Sequence, residues 1–319
     1  MSDQTASPTS PEHRQAMGLL QQRQDARQLR DFAAADALRA QIEHLGFLVV
    51  DTAEGPQLRP KPAYEVHNIA AGFPAYAHDA VIAVTVIVDG WLDDVREFVS
   101  RFISHEPDSM HLLLVDTSGD DQIARGLEDI HREHQRVTVV HTTTGAGWAD
   151  VHAASASACQ APHYAVADMS TLIDGPVFES FAEILEQDAQ VMAAGWRGAN
   201  VDREDGWRSV VDAGAGDCDV LLSYLMVVRT SDARQTPPHP KAKFYRNADI
   251  EWSLRLRDSA VVATGRPPRM VALGSHAPMH QGRHHGYHDS DPESRDRESR
   301  KTYDRILTAF RGRTELLAP

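Results

Sequence analysis

Apolar residues change their spacing several times along this chain, and each change predicts a different element. Residues 1–11 are polar and rich in Ser, Thr and Pro, and the disordered leader they predict runs to about residue 15. Leu29, Phe32, Leu38, Ile42 and Leu45 then recur at intervals that put them on one helical face. Asp31 is placed to cap the second part of this stretch, and Gly46 stands where a left-handed C-terminal residue is wanted. Residues 47–50 read as a short extended piece before the turn cluster Asp51-Thr52-Ala53-Glu54-Gly55-Pro56. A polar, Ala-rich stretch follows. The organisation expected is a helical module over 16–60, a linker over 61–79 and a main domain over 80–319.

From Val81 the pattern becomes that of buried strands. Residues 81–88 form a continuous, largely β-branched run of the kind buried on both faces. Helical spacing over 91–103 and 123–134 alternates with strands at 112–115 and 137–140. An Ala-rich helix over 148–160 then leads to a strand at 164–167. This alternation predicts an α/β fold, a mostly parallel sheet flanked by helices. Further strands are expected at 190–194 and 219–228, a short helix at 250–257, and a charged helix over 293–310 with Tyr303, Ile306, Leu307 and Phe310 on its apolar face. Ligands of such sheets sit beyond the carboxyl ends of the strands. Two strands run directly into aspartates, Asp116 and Asp168, which would project into one crevice.

Composition narrows the function. The 319 residues carry 32 Lys and Arg against 46 Asp and Glu, a net charge of −14. That balance disfavours a broad nucleic-acid surface and requires any anionic ligand to be held locally. The longest apolar run is too short to span a membrane, and no secretory signal is visible. Cys159 and Cys218 fit no zinc or redox spacing, so a reducing, cytoplasmic setting is the simpler expectation.

Several side chains could carry chemistry. Asp116, followed by Thr117-Ser118-Gly119, can bind a base or ribose, or simply cap the next helix. Asp168, in Asp168-Met169-Ser170, can ligate Mg²⁺ or Mn²⁺, or serve as a turn residue. Asp249 and Glu251 stand at a helix start, which favours acids, and a carboxylate there aimed into a cleft can act as a general base. His276, His280, His284, His285 and His288 cluster on a Gly-interspersed segment that could reach a phosphate or a metal, or remain a solvated loop. Gly145-Ala146-Gly147-Trp148 lacks the third glycine of a dinucleotide fingerprint. Asp89-Gly90-Trp91, with Asp93 and Asp94, offers no basic phosphate loop of the sort a nucleotidyltransferase wants.

Taken together, the aliphatic first strand, Val115-Asp116-Thr117-Ser118, the Gly- and Ala-rich stretch 145–158, Asp168-Met169-Ser170 and Phe244-Tyr245-Arg246-Asn247-Ala248-Asp249 resemble the family-2-like glycosyltransferases of the GT-A fold. The second half is similar to an actinobacterial subgroup with D-T-S in place of D-x-D. In that subgroup F-Y-R-N-x-D opens the acceptor helix, and H-R-G-W precedes a basic tail, matched here by His284-His285-Gly286-Tyr287 and residues 295–313. The resemblance implies transfer of a sugar from a nucleotide-diphosphate donor to an acceptor hydroxyl, assisted by Mg²⁺ or Mn²⁺ and inverting. By position it assigns Asp89, Asp116 and Ser118 to the nucleotide, Asp168 and His284 to the metal, and Asp249 to the base. Glu251 is left as an acceptor-side or helix-start acid. Ser170 stands where a second metal aspartate is expected, and Ala248 where many relatives carry glutamate. A catalytically degenerate nucleotide-sugar-binding or RNA-linked adaptor is therefore the rival reading.

The N-terminal segment has a different likeness. Arg23, Ala26-Arg27, Asp31-Phe32-Ala33, Ala35-Asp36, Leu38-Arg39, Leu45-Gly46, Asp51-Thr52 and Gly55 resemble the C-terminal helical end of cysteinyl-tRNA synthetases. H-I-G-H-type and K-M-S-K-S-type motifs are missing from the sequence, so the resemblance implies a helical docking or tRNA-contacting module rather than a ligase. It would be the one route to a nucleic-acid partner.

Overall fold

The computed structural model describes residues 10–52, 55–61, 64–143, 145–289 and 291–318. The chain divides into two compact units, residues 1–65 and 66–319. In the first, α1 (Pro11–Gln28) and α2 (Phe32–His44) precede a hairpin of β1 (Phe47–Thr52) and β2 (Gly55–Pro60). The Ser10 and Asp31 side chains cap the two helices by accepting from the His13 and Ala34 amides. Gly46 takes its left-handed φ of 85°, and Ala16, Leu20, Ile42 and Phe47 form the unit's core.

Two expectations change here. Of the expected leader, residues 1–9 lie outside the described residues, as do 53–54 of the turn cluster, and Pro11 already opens α1. Leu29 and Phe32 do not join the buried face, being 82% and 60% exposed. Arg30, at a φ of 60°, breaks the helical phase between α1 and α2.

The second unit begins earlier than the sequence suggested. β3 (Val66–His67) joins the edge of the main sheet, and Tyr76 and Ala77 are buried in its core. The stretch 61–79 is therefore not a linker throughout. The alternation then runs β4 (Ile82–Val88), α3 (Leu92–His105), β5 (Met110–Asp116), α4 (Asp121–Glu133), β6 (Val137–Thr142), α5 (Trp148–Ala158) and β7 (His163–Ala167). After β8 (Thr171–Ile173) and α6 (Phe178–Gln187) come β9 (Val191–Gly195), β10 (Gly198–Val201), β11 (Val210–Gly214), β12 (Gly216–Asp217), β13 (Val220–Leu221) and β14 (Leu225–Arg229). The chain finishes through α7 (Thr230–Gln235), α8 (Ala248–Thr264), β15 (Arg269–Ala272), β16 (Met279–Gln281), α9 (His285–His288) and α10 (Pro292–Phe310).

Among the described residues the main sheet has nine strands in the order β12-β15-β9-β14-β7-β4-β5-β6-β3. β3, β6, β5, β4 and β7 are mutually parallel, while β14 runs antiparallel between β7 and β9. Strand alternation sorts the core. Ile82, Val84, Val86 and Val88 of β4 face one side with Phe98 and Phe102 of α3, Leu127 of α4 and Phe181 of α6. Ala83, Leu113 and Val115 face the other with Val151 of α5 and Trp252 of α8. The single strand expected over 219–228 is two, β13 and β14, and the intervening segment leaves the sheet to meet α8. Among the described residues no helix is long and apolar enough to cross a membrane.

Candidate active site

The parallel strands set the position of the acids. In register, Val88 of β4 lies opposite Asp116 of β5, and Val86 opposite Ala167 of β7. Asp89, Asp116 and Asp168 therefore emerge along one edge of the sheet. A two-stranded ribbon brings in a histidine from far along the chain. β8 follows Asp168, β16 precedes His284, and they pair antiparallel with Thr171 opposite Gln281. The Gly282 amide donates to the Ser170 carbonyl at 2.7 Å, extending the ribbon toward the strand end.

His284 Nε2 meets Asp168 Oδ2 at 2.7 Å. The other carboxylate oxygen of Asp168 accepts from the Ser170 amide at 2.8 Å and from the Ser170 hydroxyl. Burial alone would raise the Asp168 pKa, but the His284 bond and charge with the Ser170 bonds hold it below the ordinary value. Burial would likewise discharge His284, yet Asp168 and the nearby Asp89 keep its pKa raised. Asp89 is itself raised, first by burial and then by the Asp168 charge. Asp89 packs against Gly286, where a Cβ would come within 3.0 Å of its carboxylate. These residues, with Lys243, Tyr245 and Arg283, line a cleft of about 830 Å³.

Asp168, Tyr245 and His284 also border an adjoining cleft of about 980 Å³, and Asp249 lines this second one. The Asp249 carboxylate is buried. Its Oδ2 accepts from the Ser223 amide at 2.9 Å and the Ser223 hydroxyl at 3.2 Å, and its Oδ1 accepts from the Ile250 amide at 2.8 Å. Burial nevertheless outweighs these bonds and raises its pKa, the direction that favours proton uptake by a base.

The other candidates are distributed differently. Asp116 is buried and absent from the linings of both clefts. One oxygen accepts from the Ser118 amide and hydroxyl at 2.9 and 2.6 Å, and the other meets His141 Nδ1 at 2.7 Å. Glu251 stands at the start of α8, but its carboxylate pairs with Arg305 at 2.8 and 2.9 Å and lines neither cleft. Of the histidine cluster, His280 pairs with Asp174 at 2.5 Å, and His285 stacks on Trp91 and bonds Asp289 at 2.6 Å. At the Gly145–Trp148 stretch the Trp148 and Ala149 amides donate to the Lys243 and Ala242 carbonyls at 3.0 Å, while Ala146 and Trp148 line the first cleft. Gly147 permits that approach, since a Cβ there would lie 2.9 Å from Lys243 Cα.

Sequence reasoning missed Tyr245, whose ring stacks on His284 at 4.5 Å and 23°, and Ser223, which holds Asp249. Tyr245 lay inside the Phe244–Asp249 motif and could have been singled out, whereas Ser223 carries no local signal. It also missed His141, held between Asp116 and Glu128, the latter at 3.0 Å from Nε2. Burial opposes its charge, but the two carboxylates win and raise its pKa. A raised histidine stabilises the fold fully below the unfolded value of about 6.5, and that contribution is lost as pH rises through the folded value. A His141→Gln variant should therefore melt well below the parent near about pH 6 and approach it by about pH 9. A gap of equal size at both ends would mean that His141 carries no charge in the fold.

No family model matches the chain. Short matches join it to two cysteine–tRNA ligases, in keeping with the N-terminal resemblance. The ligase of Solidesulfovibrio magneticus is 52% identical over 40 residues, 12% of this chain and 8% of that protein. The ligase of Methanosarcina mazei is 42% identical over 41 residues, 13% and 9% of the two. Among solved structures, GalNAc-T7 with UDP, GalNAc and Mn²⁺ superposes with a TM-score of 0.54 at 12% identity, over 72% of this chain and 48% of that one. The mannosyltransferase PcManGT of Pyrobaculum calidifontis, solved with GDP-Man and Mn²⁺, gives 0.45 at 15% identity over 81% and 65%, too low a score to carry weight. The chain thus spans about half the length of GalNAc-T7 and under a tenth of either ligase. Its mostly parallel sheet, covered by helices on both faces and closed by this acid-lined edge, has the GT-A fold.

Proposed function

We propose that this chain is a glycosyltransferase that moves a sugar from a nucleotide-diphosphate donor to an acceptor hydroxyl. The observation that carries the reading is the convergence of Asp168, His284 and Asp249, from three distant segments, on adjoining clefts at the carboxyl edge of the sheet. The donor would occupy the cleft bordered by Asp89, Lys243 and Arg283, and the acceptor the cleft bordered by Asp249. Asp116 and Ser118, bonded to each other beside the lining residue Thr117, belong on the nucleotide side in this reading.

The residues fit a divalent cation. A carboxylate oxygen and an imidazole nitrogen already converge, a mixed donor pair that Mn²⁺ accepts, whereas Mg²⁺ would lean on the carboxylate and on phosphate oxygens. Among the described residues no group of three or more His, Cys, Asp or Glu could hold an ion alone, so donor oxygens and water would complete the shell. When bound, the cation neutralises charge developing on the departing diphosphate. Asp168 and His284 would hold it, with His284 giving up the proton it now shares with Asp168. Asp249 takes the proton of the acceptor hydroxyl, its carboxylate oriented by the Ser223 and Ile250 amides. A base on the acceptor side, opposite the leaving group, gives inversion and a family-2-like reaction. Two free, buried cysteines agree with a cytoplasmic setting.

One observation favours a second reading, a nucleotide-sugar-binding protein without turnover. Ser170 supplies a donor to Asp168 instead of a second anionic ligand. A thermal-shift screen of UDP-, GDP- and dTDP-sugars with and without Mn²⁺ tests the main reading. One nucleotide class should stabilise the protein by roughly 2–4 kcal/mol well above its Kd, and more with metal than without it. Binding without any metal-dependent release of nucleoside diphosphate would favour the second reading, and no binding at all would remove both.

A further inference from the structure

The two residues that bracket Asp249 are both tied to the C-terminal helix. Two positions before it, Asn247 has a left-handed φ of 69°, a conformation that asparagine adopts more readily than most non-glycine residues. Its Nδ2 donates to the Ser299 carbonyl at 3.1 Å and to the Ser299 hydroxyl oxygen at 2.8 Å, on α10. Its own carbonyl accepts from the Glu251 amide at 3.0 Å and so starts α8. Two positions after Asp249, the buried Glu251 carboxylate takes both arms of Arg305, at 2.9 and 2.8 Å, in the bidentate geometry that fixes orientation as well as distance. Arg305 also donates to Thr302 at 3.1 Å. Between these ties Ile250 and Leu254 pack with Ile306 and Phe310.

We propose that α10 is a brace for the Asp249 carboxylate, acting through Ser299 and Asn247 on one side and Arg305 and Glu251 on the other. The proposal rests on the reading of Asp249 as the base. Ser223 reaches the carboxylate from the segment between β13 and β14, so the carboxylate bridges two parts of the chain, and α10 sets the angle at which α8 delivers it. Ser299, Glu251 and Arg305 line neither cleft and are positioning residues in this scheme, while Asn247, which borders the Asp249 cleft, acts on the carboxylate through its tether to Ser299. It also explains why a charged, surface-exposed helix carries buried polar residues, Ser299 and Thr302, on its inner face.

The test uses two mild variants of the full chain. Asn247→Gly keeps the left-handed backbone without steric cost and removes the tether together with one side chain at the border of the Asp249 cleft, and Ser299→Ala removes one hydroxyl away from either cleft. Amide hydrogen exchange reads the carboxylate directly, because the Ser223 and Ile250 amides both donate to it. Exchange at these two should quicken by about tenfold or more, with Leu254 and Leu256 in the body of α8 unchanged. Misplacing a reacting group by about 1 Å can cost on the order of a hundredfold in rate, so the kcat of UDP-, GDP- or dTDP-glucose hydrolysis should fall while the donor KM holds. Unchanged exchange at Ser223 and Ile250, or uniform quickening along α8, would overturn the brace. Full turnover in Asp249→Asn would overturn the base reading, and with it the purpose of the brace, whatever the exchange pattern.

Discussion

Replacing Asp249 with asparagine should abolish most transfer, by on the order of 10²- to 10⁴-fold, while donor binding stays close to that of the parent. Asparagine keeps the shape, and its carbonyl oxygen can still accept one of the bonds from Ser223 or Ile250, but it cannot take a proton. The cleft proposed for the donor is lined by Asp89, Asp168 and His284 rather than by Asp249, which is why binding should survive. The pH profile adds a second mark. Burial holds the Asp249 pKa above that of an ordinary aspartate, so transfer should fall as acidity rises, with a midpoint above the usual value of about 4. Turnover like that of the parent in Asp249→Asn, measured as release of nucleoside diphosphate, would remove Asp249 from the chemistry.

Asp168→Ala should have the next largest effect, weakening Mn²⁺-dependent donor binding by at least the roughly 10- to 100-fold that loss of an outer-shell partner of a metal ligand costs. The substitution removes the carboxylate that pairs with His284 and accepts from Ser170. It also removes the main influence that keeps His284 charged, so the imidazole pKa should drop toward what burial alone dictates. Calorimetric titration of the nucleotide with and without Mn²⁺ separates the contributions. The metal-free affinity should change little, and the increment gained from metal should shrink. An unchanged Mn²⁺ increment would take Asp168 out of the metal site.

Both predictions bear on the departure at Ser170. A second carboxylate there would raise the negative charge around the cation and strengthen its hold. The hydroxyl instead donates to Asp168, leaving one oxygen of that carboxylate for His284. On the proposed reading, affinity for a cation would depend more heavily on the diphosphate, and the thermal shift should be far larger with donor and Mn²⁺ together than with Mn²⁺ alone.

Much of the fold was legible because its signals are local. A continuous apolar run marks a strand covered on both faces wherever it occurs, so β4, β5 and β7 could be found without knowing their partners. The ends of β5 and β7 then put Asp116 and Asp168 at one edge of the sheet, since parallel strands share a direction. A helix start near Asp249 was legible from the acids Asp249 and Glu251, although the helix expected over 250–257 runs from Ala248 to Thr264.

What the sequence determined by itself was the kind of the regular elements from β4 to β7 and the edge of the sheet at which Asp116 and Asp168 emerge, because hydrophobic period is a property of a short segment. Only the tertiary structure decided who meets whom. The β8–β16 ribbon that carries His284 to Asp168, the antiparallel entry of β14 between β7 and β9, the Ser223 grip on Asp249 and the capture of Asp116 by His141 all join residues far apart in the chain. Their register is set by burial and hydrogen bonding across the whole unit. For the same reason Glu251, a helix-start acid in sequence, became the partner of Arg305: its neighbour was chosen by the packing of α10 against α8 and by nothing within its own helix.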